Sequence, residues 1–103
     1  MVFTIKKLHN HIDNFLLELK EKDFHVRNAV LFGSYANGNV HENSDIDLAI
    51  WADEFNSEED NLEKIKTIIA KYYPISPKLY YTKEIDDPFI EIINKTGKRI
   101  KLK

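Results

Sequence analysis

Between Phe32 and Leu48 the chain reads FGSYANGNVHENSDIDL. Ten residues separate Ser34 from Asp45, and Asp47 follows two residues later. Each residue type suits one task in handling a charged phosphate ester. Gly33 lets backbone approach a phosphate with no Cβ in the way. Peptide N–H groups at such a turn can point at anionic oxygens, and the Ser34 hydroxyl adds a donor. Gly38 permits the left-handed turn that brings the chain back. Ser44, just before the acid pair, is a further candidate nucleotide-binding hydroxyl. Two aspartates at i and i+2 of a strand share a face, with Cα atoms about 6.6 Å apart. Side by side they repel, and hard cations such as Mg²⁺ favour carboxylate and phosphate oxygen together. Taken singly, a Gly-Ser pair is usually only a turn, and Asp-x-Asp only a solvated strand face.

These residues need a strand before the turn and a strand beneath the acids. Asn28–Phe32 is a short apolar run stopped by Gly33, which predicts a buried strand. Asp45–Trp51 alternates, with Ile46, Leu48 and Ile50 facing one way and Asp45, Asp47, Ala49 and Trp51 the other. Ile5, Leu8, Ile12, Phe15, Leu16 and Leu19 form one stripe of a helix over about 5–22. Ser57 with Asp60 predicts a capping box for a second helix, striped by Leu62, Ile65, Ile68, Ile69 and Tyr72 and ending before Pro74. Lys78–Thr82 reads as a third strand. Asp86 or Asp87 caps a last helix with Pro88 in its first turn and Gly97 as its stop, and 99–102 follows as an edge strand. The order α-β-β-α-β-α(-β) predicts an α/β (α+β) fold, a small mixed sheet with helices packed on one face. The other face then carries the acids.

Composition bounds the rest. The chain has 103 residues, 43% hydrophobic and 31% charged, and reads as one domain over 1–103. Its formal charge of −2 excludes a strongly basic nucleic-acid coat. The absence of cysteine excludes disulfides and Cys-ligated zinc and agrees with a cytoplasmic setting. Residues 1–22 have neither a signal peptide's apolar core nor a membrane span's length.

Gly-Ser, ten residues, Asp-x-Asp resembles the signature of the minimal nucleotidyltransferases, small members of the DNA polymerase β-like nucleotidyltransferase superfamily. The likeness runs over nearly the whole chain and is poorly specific for substrate. It implies an NTP, ATP first, as cosubstrate and Mg²⁺ as metal. Gly33 and Ser34 would hold the β- and γ-phosphates, while Asp45 and Asp47 would hold metal and be the catalytic pair. It also implies transfer of a nucleotidyl group to a hydroxyl, and a small all-helical partner of the HEPN type, some relatives being antitoxins that modify a toxin tyrosine. A contact-acting antitoxin without turnover is the alternative, and a homo-oligomer stays open.

Two departures stand out. Relatives normally add a third carboxylate from the next strand, and here that position falls on Lys78, or on Ser76 or Tyr80 if the register slips. Lys78 is expected to pair with Asp45 or Asp47 in place of a cation. The phosphate turn also lacks a basic side chain at Tyr35 or Asn37. Glu84, Asp86 and Asp87 read as strand-end and capping groups. Trp51 and Tyr80 share the face of the acids, and partner docking is the reading slightly favoured for them. His9, His11 and His25 read as surface groups, and His41 as a solvated loop residue. Lys95, Lys98, Arg99, Lys101 and Lys103 form a basic tail, a solvated end or an RNA-attracting one.

Overall fold

The structure, a computed structural model, describes residues 2–56 and 58–102. Four strands form one mixed sheet in the order β3-β2-β1-β4, with β1 at Val26–Phe32, β2 at Ile46–Ala52, β3 at Ile75–Tyr81 and β4 at Lys98–Arg99. β1 runs antiparallel to β2 and to β4, and β2 runs parallel to β3. The parallel pair is joined by helix α3 (Glu58–Lys71), as a crossover requires. Helix α1 (Ile5–Glu21) precedes the sheet, the short helix α2 (Ser34–Asn37) sits in the turn after β1, and α4 (Pro88–Thr96) follows β3. The mixed sheet with helices is therefore as the sequence predicts.

Local chemistry explains the element ends. Thr4 caps α1 by accepting from the Lys7 N–H. The predicted stripe is buried at Leu8, Ile12, Phe15, Leu16 and Leu19, whereas Ile5, in the first turn, is exposed. Asp87 caps α4 by accepting from the Phe89 N–H, with Pro88 in the first turn. The predicted Ser57 cap of α3 lies outside the described residues. β3 begins at Ile75, earlier than expected. It admits Pro77 because it is an edge strand, where a missing N–H costs no ladder bond.

The two sheet faces are packed differently. Leu31, Ile46, Leu48, Ile50 and Leu79 meet α1 and α3 in the main core. Val30, Ala49, Trp51 and Tyr80 meet Ile90 and Ile93 of α4 on the opposite face. The expectation that all helices pack on one face thus needs correction, since α4 crosses to the face that bears Asp47. The physical reason lies in β1, β2 and β3: Val30, Trp51 and Tyr80 are large apolar groups on that face, and only burial removes them from water.

Candidate functional site

β1 delivers the chain at Phe32 into a turn that begins with Gly33 at φ +71°, ψ −150°. That backbone conformation is essentially reserved for glycine. A second constraint comes from across the sheet. Phe32 is level with Asp47, and a Cβ at Gly33 would run into the Asp47 carboxylate, 3.1 Å from its Cγ. The phosphate-type turn and the acidic strand, apart in sequence, are therefore in direct contact. Gly33 O accepts from the N–H groups of Ala36 and Asn37, closing α2, and the Gly38 N–H returns to Ser34 O. The amides of the first turn, Ser34 and Tyr35, have no helical carbonyl to meet. Gly38 closes the turn at φ +84°, in the left-handed region, with open space where a Cβ would stand.

The turn is held from outside by Tyr35. Its ring is buried, and its hydroxyl accepts from the Phe3 N–H at 3.2 Å, so the segment before α1 lies on it. The Phe3 ring packs edgewise on Tyr35. Ser44 is 6% exposed, and its Oγ accepts from the His41 N–H at 2.9 Å while its own N–H bonds His41 O. In this structure Ser44 shapes the loop that delivers Asp45.

Asp47, in β2, is half-buried, and Asp45, one residue before the strand begins, is exposed, so the strand start predicted at Asp45 moves to Ile46. Burial raises the Asp47 carboxyl above the usual carboxylate range, and the Asp45 charge adds to the rise. Among the described residues no ion pair closes on either carboxylate, whereas acids elsewhere meet His25, Arg27 and Lys71. This donor set, two hard oxygens with uncompensated charge, fits a divalent cation that keeps positions free for phosphate and water. Among the described residues, no group of three or more His, Asp or Glu gathers where it could hold a metal.

Ser76 is level with Asp47, and Lys78 is level with Ala49, both on the Asp47 face. Lys78 does not pair with Asp45 or Asp47 as expected. Its Nζ stands 5.4 Å from the centre of the Phe89 ring and 5.7 Å from that of Tyr80. Phe89 in turn packs edgewise on Phe32. No local pattern signals Phe89's place here, because only the crossing of α4 over the sheet brings it.

Three further expectations change. Trp51 and Tyr80 do share the face of the acids and stack at 5.1 Å, but they are 5% and 6% exposed under α4. They are core, and the expected docking role is withdrawn. His11 is not a surface group: it is half-buried, with Nε2 bonded to Tyr72 O at 2.9 Å. His25 is exposed but engaged, its Nδ1 2.6 Å from Glu54 Oε2. The capping readings of the acids hold, since Asp87 Oδ2 also accepts from the Tyr80 hydroxyl and Glu84 Oε1 from the Asp86 N–H.

A family model described as a nucleotidyltransferase domain matches residues 12–101. No curated protein sequence matches the chain. Solved structures share its fold, two of them described as toxin-antitoxin structures. One, a mutant of the toxin-antitoxin MntA-HpeT, has a TM-score of 0.64 and 21% identity over 92% of this chain and 73% of that one. The other, a toxin-antitoxin with AMP-PNP, has a TM-score of 0.66 and 23% identity with the same coverage. Among the described residues, no helix is long and apolar enough to cross a membrane.

Proposed function

Because the chain belongs to the nucleotidyltransferase domain family, we propose that it binds an NTP, ATP first, and transfers the nucleotidyl group to a hydroxyl of a partner protein. One observation carries this reading: the Gly33 backbone lies against the Asp47 carboxylate, so a phosphate-type turn and an acid pair border the same space. Asp45 and Asp47 would hold Mg²⁺, which supplies charge neutralisation to the phosphates when bound. Gly33 brings backbone within reach of the β- and γ-phosphates, Ser34 offers its hydroxyl, and Gly38 lets the loop close. In the transfer, the acceptor hydroxyl gives its proton to water, its oxygen bonds to the α-phosphorus, and the bond from that phosphorus to pyrophosphate breaks. The chain's contribution is position and charge, which is most of what phosphoryl chemistry asks of a protein.

The partner in this reading is a small all-helical protein of the HEPN type in the cytoplasm. Its support is the toxin-antitoxin character of the two structures that share the fold. A second reading, an antitoxin acting by contact alone, is favoured by a specific feature: among the described residues the acid pair has no third carboxylate gathered with it. The test is incubation of the chain with each labelled NTP, Mg²⁺ and the co-purifying partner. Transfer predicts Mg²⁺-dependent pyrophosphate release and a labelled partner, both lost in Asp47→Asn. Unlabelled partner, neutralised equally by wild type and Asp47→Asn, overturns transfer in favour of contact.

A further inference from the structure

A triphosphate brings several negative charges to a place already holding two carboxylates. The turn itself, Gly33 to Ser44, contains no Lys or Arg. Among the sheet's basic groups, Lys98 of β4 is level with Leu31, a main-core residue, and so stands on the face away from Asp47. Arg99, on the β4 edge and level with Val30, donates its Nε to Asn28. Arg27 is bound to Asp53 at the opposite end of β2. Lys78 remains. It stands on the Asp47 face of β3, level with Ala49 and two residues on from Ser76, the residue level with Asp47. No carboxylate among the described residues closes an ion pair with it. It also lines a shallow cavity of about 340 Å³ with Glu84, Asp86 and Asp87, and none of the three reaches it. Asp87 is taken by the Tyr80 hydroxyl and the Phe89 N–H, and Glu84 by the Asp86 N–H.

Two rings hold the ammonium instead, within the distance at which a ring face attracts a cation. Phe89 links that ammonium to the turn, because its other neighbour is Phe32, the residue immediately before Gly33 and level with Asp47. A cation resting on aromatic faces keeps its N–H donors available, unlike one locked in an ion pair.

We propose that Lys78 is the nucleotide site's fixed cation, donating to non-bridging oxygens of the polyphosphate that the turn and the acid pair receive. Lys78 is thus a binding and specificity residue that selects nucleotides with a polyphosphate tail over monophosphates. This rests on the nucleotide-binding reading above.

Calorimetric titration of the full chain with ATP and with AMP, each with Mg²⁺, separates the two claims. Wild type, Lys78→Met and Lys78→Arg are compared, the Met variant keeping an unbranched apolar stem against Phe89. The loss of a charge-assisted contact predicts ATP affinity weaker by about tenfold or more in Lys78→Met. AMP affinity should be unchanged, and Lys78→Arg should recover most of the loss. The salt dependence of ATP binding should also flatten in Lys78→Met. Equal ATP affinity in wild type and Lys78→Met overturns the role of Lys78 while leaving nucleotide binding intact. Equal losses for ATP and AMP overturn it too, since they mark a packing effect. Failure of wild type to bind ATP with Mg²⁺ overturns both readings together.

Discussion

Strand β2 has acids at both ends, and the protein treats them in opposite ways. Beyond its C-terminal end, Asp53 receives the Arg27 guanidinium at 2.6 Å and the Thr82 hydroxyl, and Glu54 receives His25. At its N-terminal end, Asp45 and Asp47 have no basic side chain among the described residues within ion-pair distance. The consequence shows in the carboxyls themselves. The Arg27 hydrogen bond, with the Thr82 one, draws Asp53 down to about 2. Burial and the neighbouring Asp45 push Asp47 up. One end is finished within the chain. The other stores repulsion that a cation would relieve, and it is the end that meets the glycine turn.

That contrast can be broken most severely at Gly33. In Gly33→Ala, a methyl group needs a backbone region that alanine avoids and the space the Asp47 carboxylate occupies. A loss of about 2–4 kcal/mol in unfolding free energy is expected by urea denaturation, with loss of Mg²⁺-nucleotide binding.

Asp47→Asn comes next, and its two effects have opposite signs. A carboxyl whose folded pKa is raised adds stability below the unfolded value and loses it as pH rises through the folded one. At neutral pH, Asp47→Asn removes that penalty, so the variant without added metal is expected to melt at or above the wild-type temperature. Mg²⁺ should raise the wild-type melting temperature and leave the variant's unmoved, because only a bound ligand shifts the folding equilibrium. A variant that melts lower, or that still responds to Mg²⁺, would remove the contrast between the two ends.

The smallest effect belongs to the satisfied end. The depressed Asp53 carboxyl stabilises the fold above its unfolded pKa near 3.8, and this is lost as pH falls toward about 2. Asp53→Asn should flatten the acid limb of the stability curve between roughly pH 4 and 2, measured by circular dichroism. Its exposure keeps the change small at neutral pH. Mg²⁺ response should be untouched, and a lost response would mean that the two ends are coupled.

How much of this was legible in the chain depends on range. The stripe Leu8, Ile12, Phe15, Leu16 and Leu19 is a local period, and it is buried as read. The alternation of Ile46, Leu48 and Ile50 against Asp47 and Ala49 is equally local, and it set the face on which Asp47 stands. The glycine at 33, the left-handed glycine at 38 and the Asp87–Pro88 cap are turn and cap chemistry written in a few residues. The contact of Gly33 with Asp47 required the pairing of Phe32 with Asp47, which no local pattern contains.

The sequence by itself determined most of the elements, the face on which Asp47 stands and the glycine turn after β1, because propensity and periodicity act over neighbouring residues. Only the tertiary structure decided what α4 covers. Its crossing buried Trp51 and Tyr80, a choice made by apolar area on the sheet rather than by any signal in α4 alone. The same crossing set Phe89 against Phe32 and Lys78, and so turned a lysine expected on the acids into one resting on rings. Packing between distant segments chooses among partners that a one-dimensional pattern leaves equivalent.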